Sequence, residues 1–285
     1  MTIVSPYPAK VDRFYRGNLH THTTNSDGRL TVDQVTARYA AAGHDFLAIS
    51  DHDVWTPPFT HERLVSIPAV EVSAGGPHVL AVGVDHVYDT SETRGQILTR
   101  IVADGGLALL NHPNWEVDYE HWPQAAMLQT GPYHGLEIFN SVVDCLQGSA
   151  WALDRWDRLL SRGRRVWGFA NDDFHDTPHG PRVWNAVAAE AGTAHALVAA
   201  MKAGCFYAST GLELDAIEVT DTALHITARE SVHTRFIVKG GALAKSVDGE
   251  RATYHFSGGE TYVRAEVWGS GYRAAFTQPV FVERP

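Results

Sequence analysis

The feature that most restricts how this chain can fold is a repeated one: a short apolar run that closes on histidines and carboxylates. "NLHTHTTNSDG" sets His20 and His22 two apart, with Asp27 five residues further on. "FLAISDHD" ends in Asp51, His52 and Asp53, and "SIPAVEVSA" carries Glu71 inside an otherwise apolar strand. "PHVLAVG" opens with His78, "LALLNHPNW" presents His112, and "VWGFANDDFHD" ends in Asp172, Asp173 and His175. Alternation along a strand points His20 and His22 to one face, where two imidazoles reach one ion. Taken singly, each cluster has an ordinary explanation. A strand-end histidine is commonly just hydrogen-bonded, "SDG" is a turn, and "DHD" suits a cap. The recurrence is what matters, because the C-terminal mouth of a parallel barrel gathers the ends of its strands.

The spacing between clusters supports that architecture. "FLAIS", "LALLN", "GLEIF" and "VWGFA" read as buried strands bounded by polar or turn residues. A helix is predicted after Thr31, which has capping-box spacing to Gln34, with Val32, Val35 and Tyr39 as its apolar stripe and Gly43 as its stop. Further helices are expected over 92–104 and 146–162, the latter with Trp156, Leu159 and Leu160 on one side. Strands alternating with helices imply an α/β parallel sheet or barrel. From about residue 212 the pattern changes to strand-like segments such as "LHITARE", "TRFIVKG" and "YVRAEVWG", separated by Gly-rich or polar turns. We expect two domains, an α/β barrel over 1–204 and a small all-β, sandwich-like domain over 205–285, joined by a helix within "ALVAAMKAGCFYASTG".

At 285 residues the chain can bury a large core without staples. A formal charge of −10 argues against a broad nucleic-acid surface, which needs clustered Lys and Arg. Cys145 and Cys205 have no metal or redox spacing, so no disulfide framework is expected. The opening "MTIVSPYPAK" has no signal-like apolar stretch and no run is long enough to span a membrane, so a cytoplasmic location is the default expectation. Oligomeric state is left open.

The ordered set "HTH", "SDG", "SDHD", "VEVS", "HVLAVG", "NHP" and "DDFH" resembles the PHP (polymerase and histidinol phosphatase) superfamily over about residues 17 to 185. The resemblance implies a distorted (β/α)7 barrel holding two or three divalent ions. It implies His20, His22, Glu71 and Asp173 around the first ion, with Glu71 bridging. Glu71, His78 and His112 would hold the second, and Asp27, His52 and His175 the third. "GPRVWNAV", the helix before "FYASTG" and the β-rich tail make the layout similar to the carbaryl-hydrolase-like branch, which includes a carbamate-ester hydrolase.

A mixed set of imidazoles and carboxylates suits Mn, Fe or Zn. Two ions sharing a water lower its pKa and polarise a phosphoryl or carbonyl oxygen, so Glu71 and Asp173 are expected in the catalytic centre and no Ser or Cys nucleophile is required. Arg182 is the expected anion clamp, since a guanidinium binds two oxygens at once. His179 is the candidate acid for a leaving group, and Asn114 and Asn140 are candidate pocket residues. The leading expectation is a phosphoesterase acting on a small phosphorylated metabolite or nucleotide. The alternative is a carbamate, carboxyl-ester or amide hydrolase, and a remote third is a non-catalytic binding module.

Overall fold

A computed structural model describes residues 1–9 and 11–284. A short strand β1 (Thr2–Val4) precedes the barrel strands β2 (Tyr15–Asn18), β3 (Phe46–Ile49), β4 (Val65–Val72), β5 (Val79–Val82), β6 (Leu107–Leu110), β7 (Gly135–Asn140) and β8 (Trp167–Asn171). Strands β2 to β8 are hydrogen-bonded in sequence order. The extended chain beyond β2 closes the ring: the His22 amide donates to the Phe174 carbonyl and the Phe174 amide to that of His20, at 2.8 and 3.3 Å. Pairing is parallel except for β4–β5 and β5–β6, which are antiparallel. This is a departure from the all-parallel sheet that alternation suggests. Only residues 73–78 connect β4 to β5, too few for a parallel crossover, so the two form a hairpin. The reversal is useful, because it brings the start of β5, and with it His78, to the mouth where the other strands end.

The helices pack outside. α1 (Val32–Ala41) has the predicted capping box: the Gln34 amide donates to Thr31 Oγ1 and the Thr31 amide to Gln34 Oε1. It stops before Gly43, at φ 80°, as expected. Thr31→Ala removes this cap and is expected to lower stability by about 1 kcal/mol in urea unfolding; no change would mean the first turn is held by tertiary packing alone. α2 (Arg94–Ala103) lies inside its expected range, and α3 (Gln124–Gln129) is short. α4 (Leu153–Leu160) buries Trp156, Leu159 and Leu160 but starts seven residues later than expected. Residues 146–152 are irregular because Gly148, at φ 101°, and Trp151 make β-bridges to Trp115 and Phe139 instead.

Beyond the ring, β9 (Trp184–Val187) runs antiparallel to β2, and after α5 (Ala194–Ala203) β10 (Phe206–Ser209) pairs with β9. The rest is strand: β11 (Ala216–Val219), β12 (Ala223–Thr227), β13 (Ser231–Val238), β14 (Ala242–Asp248), β15 (Arg251–His255), β16 (Tyr262–Gly269), β17 (Ala274–Thr277) and β18 (Val280–Glu283). β11, β12 and β15 form a separate sheet, while β10–β17 and β1–β18 pairings carry the main sheet into this region. A buried ion network ties it to the barrel: Arg264 holds Asp157 of α4 through Nε and Nη2 at 3.0 and 2.7 Å, and Glu266 at 2.9 Å. Among the described residues, no helix is long and apolar enough to cross a membrane.

Candidate metal centre

The strand ends deliver donor atoms to one buried point. His20 and His22 lie on the segment that closes the barrel, and alternation turns both rings inward. His20 Nε2 stands 3.1 Å from Glu71 Oε2 and 3.2 Å from Asp173 Oδ1; His22 Nε2 stands 3.3 and 3.1 Å from the same two atoms. All four residues are buried. Ligands at about 2.1 Å from one ion lie about 3.0 to 3.4 Å from each other in octahedral or tetrahedral arrangement, so these separations are the edges of a coordination polyhedron. His20 Nε2, both His22 ring nitrogens, His52 Nδ1, Glu71 Oε2, His112 Nδ1 and Asp173 Oδ1 are buried without a hydrogen-bond partner. Buried polar atoms left unpaired are costly, and the four that face one another here, His20 Nε2, His22 Nε2, Glu71 Oε2 and Asp173 Oδ1, are accounted for by a divalent cation. The residues present fit the group.

Glu71 is the hub. Its Oε2 also faces His52 Nδ1 at 2.9 Å, while Oε1 faces His78 Nδ1 at 3.1 Å and His112 Nε2 at 3.5 Å. The third set lies further out: Asp27 Oδ1 is 3.3 Å from His175 Nε2, and its Oδ2 is 3.7 Å from His52 Nε2. All nine residues expected as ligands therefore converge. His52 stands between the second and third sets, and His22 reaches toward the third as well as the first.

The electrostatics agree with this. Burial alone would raise the Glu71 and Asp173 pKa values, but the surrounding rings, His20 foremost, hold both well below the usual carboxylate range. Burial opposes the charge of His20, yet Asp173, Glu71 and Glu137 push its pKa well up. Burial likewise works against Asp27 and His175, but their mutual hydrogen bond leaves Asp27 at about 2 and His175 at about 9. The buried carboxylates thus hold positive charge at this centre, on the surrounding rings or on a cation in their place.

Other residues hold the donors in place. Glu137 accepts from His20 Nδ1 at 2.8 Å, from Asn171 Nδ2, from the His112 amide and from Asn140 Nδ2. It fixes the His20 ring with Nε2 inward, the carboxylate–histidine pairing common behind metal ligands. The Asp173 carbonyl does the same for His175, accepting from Nδ1 at 2.8 Å. Asp51 accepts from Thr23, Ser26 and Thr56 and so shapes the turn that carries Asp27. In that turn a Cβ on Gly28 would sit 2.6 Å from the His22 carbonyl. His121 Nε2 accepts the His78 amide at 2.8 Å, and Trp122 Nε1 donates to the His78 carbonyl at 2.8 Å, so His78 is pinned from both sides. Burial and the neighbouring His112 and His78 take His121 down to about 2, and its Nε2 lone pair is already used. His112 and Asp173 adopt φ 28° and 53°, a left-handed conformation that side chains rarely hold without surrounding support.

Six of the nine donors, Asp27, His52, His78, His112, Asp173 and His175, line a cavity of about 440 Å³, together with Arg29, Trp115, Val142, Val143, Leu146, Asp176 and His179. The expected substrate residues divide here. His179 lines the cavity and accepts the His175 amide at Nδ1; burial and His175 lower its pKa. Arg182 is elsewhere, 3.4 Å from Asp144 in a separate groove with Trp151, Trp268 and Arg273. Asn114 points toward α4, bonding Trp151, Asp154 and Arg155. Asn140 is buried behind the centre and donates to Glu137 and Asp173. The guanidinium at the cavity is that of Arg29, beside Asp176 at 3.4 Å. Sequence reasoning missed Glu137, although an acid inside the apolar run "GLEIF" is the same signal that identified Glu71. It also passed over Arg29, two residues beyond Asp27.

No protein-family model and no curated protein matches the chain. Among solved structures, a two-domain protein from Bacteroides vulgatus containing a predicted PHP-like metal-dependent phosphoesterase is similar over 93% of this chain and 94% of its own. The identity is 16% and the TM-score 0.55, a likeness of fold: a PHP-like barrel with a β region after it. Weaker likenesses are PsfC from Pseudomonas syringae (9% identity, 66% of this chain and 88% of that one, TM-score 0.48) and an amidohydrolase from Chromobacterium violaceum with bound sulfate (16%, 56% and 87%, TM-score 0.39).

Proposed function

We propose that a chain of this PHP-like fold is a divalent-metal-dependent hydrolase, and that its substrates are small phosphoesters. The observation that carries the reading is the set of unpaired buried donors around Glu71 and Asp173 at the floor of an open cavity. His20, His22, Glu71 and Asp173 would hold one ion, Glu71, His78 and His112 a second, and Asp27, His52 and His175 a third; Mn, Fe and Zn suit such donors. When bound, such ions supply Lewis-acid polarisation and activate water.

The chain's own residues do the remaining work. Glu71 and Asp173 fix the positions of the donors, and the barrel floor excludes bulk water from them. Arg29, rather than Arg182, is the guanidinium able to meet an anionic substrate oxygen at the cavity. His179 lines the cavity with Nδ1 taken up by the His175 amide, which leaves Nε2–H of the neutral ring to hydrogen-bond a substrate or leaving-group oxygen. We assign residues 205–285 to a second, β-rich domain with no part in the chemistry.

A second reading, hydrolysis of carbamates or carboxyl esters, is favoured by one observation: among the described residues, Arg29 is the only Lys or Arg lining the cavity, and it already has Asp176 as a partner. Phenyl phosphate and phenyl carbamate, offered to the same Mn-loaded protein, separate the two. Turnover of the phosphate is expected; turnover of the carbamate alone would replace the first reading by the second.

A further inference from the structure

The cavity over the candidate centre is chemically one-sided, and the strand order explains why. Beyond the donors themselves, its polar residues Arg29, Asp176 and His179 come from the segments after β2 and β8, which meet where the barrel closes. Its apolar residues, Trp115, Val142, Val143 and Leu146, come from the segments after β6 and β7, which are neighbours on the other side of β8. These two apolar segments are joined into one wall. Trp115 and Gly148 form an antiparallel bridge, and the Ser149 amide donates to the Asn114 carbonyl at 2.8 Å. At Gly148 a Cβ would fall 2.3 Å from the Asn114 carbonyl oxygen, so the seam requires glycine. The Trp115 ring stands 5.0 Å from His112 and 5.5 Å from His78, directly beside the donors. Leu146 is 52% exposed and faces this cavity, an apolar side chain that the chain itself leaves largely uncovered.

We infer that the preferred substrate is amphipathic: a small ester whose branched-alkyl or aryl arm lies against Leu146, Val142, Val143 and Trp115 while its anionic end faces Arg29. The inference rests on reading this cavity as the hydrolytic site. It makes Leu146 a specificity residue, touching the arm and not the reacting atoms. A polar arm such as glycerol would leave the wall wet and forfeit the transfer free energy of the apolar surface.

Calorimetric binding of two probes to the Mn-loaded protein tests this, with turnover measured alongside. Cyclohexylmethylphosphonate is expected to bind at least about tenfold more tightly than methylphosphonate, and Leu146→Ser is expected to remove most of that difference while leaving methylphosphonate affinity unchanged. In turnover, KM for cyclohexylmethyl phosphate should rise about tenfold in Leu146→Ser, with KM for glycerol phosphate unaltered. Equal binding of the two phosphonates by the parent protein, or a preference that survives in Leu146→Ser, overturns the inference. A binding preference without turnover of either phosphate would leave the amphipathic site standing and remove the phosphoesterase reading.

Discussion

Glu71→Gln is expected to lower kcat/KM by about 1000-fold, the several kcal/mol that metal-ion chemistry supplies at 1.36 kcal/mol per decade. Glutamine has the same shape, so β4 and its neighbours should keep their packing. The chemistry changes at both ends of the side chain. Oε2 faces His20, His22 and His52, and Oε1 faces His78 and His112 and accepts from Asn111 Nδ2 at 2.6 Å. An amide presents one oxygen and one NH2, so either the first or the second set loses its shared carboxylate oxygen, and one negative charge is removed from the middle of the donors. Loss of metal content should accompany loss of rate. A Glu71→Gln protein within tenfold of the parent would show that the cluster is not where the reaction occurs.

Glu137→Gln should act one step removed, weakening metal affinity by about 100-fold, the upper end of what residues behind metal ligands contribute. Glu137 is not among the described residues that line the cavity over the donors. It is buried, it accepts four hydrogen bonds, and His20 foremost keeps its pKa low against the effect of burial. Those four donors are the His20 ring, the amide of strained His112, Asn171 and Asn140. Glutamine can accept at one atom only, so either the His20 tautomer or the His112 backbone is released. The readout that separates positioning from mere stability is the metal dependence. The Mn²⁺ concentration for half-maximal activity should rise about 100-fold, with kcat at saturating metal largely restored. An unchanged half-saturation point, with activity lost in proportion to folded protein, would assign Glu137 a purely structural role.

Much of the centre was legible because its donors are strand-end residues, and strand ends are the best-marked points of an α/β sequence. His20 and His22 follow from two-residue alternation, and Asp173 and His175 from their place after "VWGFA". Alternation alone did not reveal the direction of β5. Its apolar run reads the same in either sense, and only the short link from β4 decides that His78 begins an antiparallel strand. The helix expected over 146–162 failed in its first half because a tertiary seam, Gly148 against Trp115, outweighs local helical spacing.

Substrate-side residues were harder for the same physical reason. Asn114, Asn140 and Arg182 have side chains suited to binding, but orientation is set by tertiary partners: Arg155 and Asp154 turn Asn114 away, Glu137 and Asp173 take Asn140, and Asp144 holds Arg182 in the neighbouring groove. Arg29 had an unremarkable sequence context in "SDGRL" and reaches the cavity because its amide is bonded to the His175 carbonyl across the closing seam. His121 lies in "YEHWP", outside any apolar run, and its bond to the His78 amide could not be read from spacing.

Whether these buried donors cage divalent cations can be decided by counting ions. Folded protein is stripped with chelator, dialysed against Mn²⁺ or Zn²⁺, and its metal measured by mass spectrometry against protein concentration. Two or three ions per chain are expected. Fewer than one ion per folded chain, with either metal, would mean that the donors cage no cation.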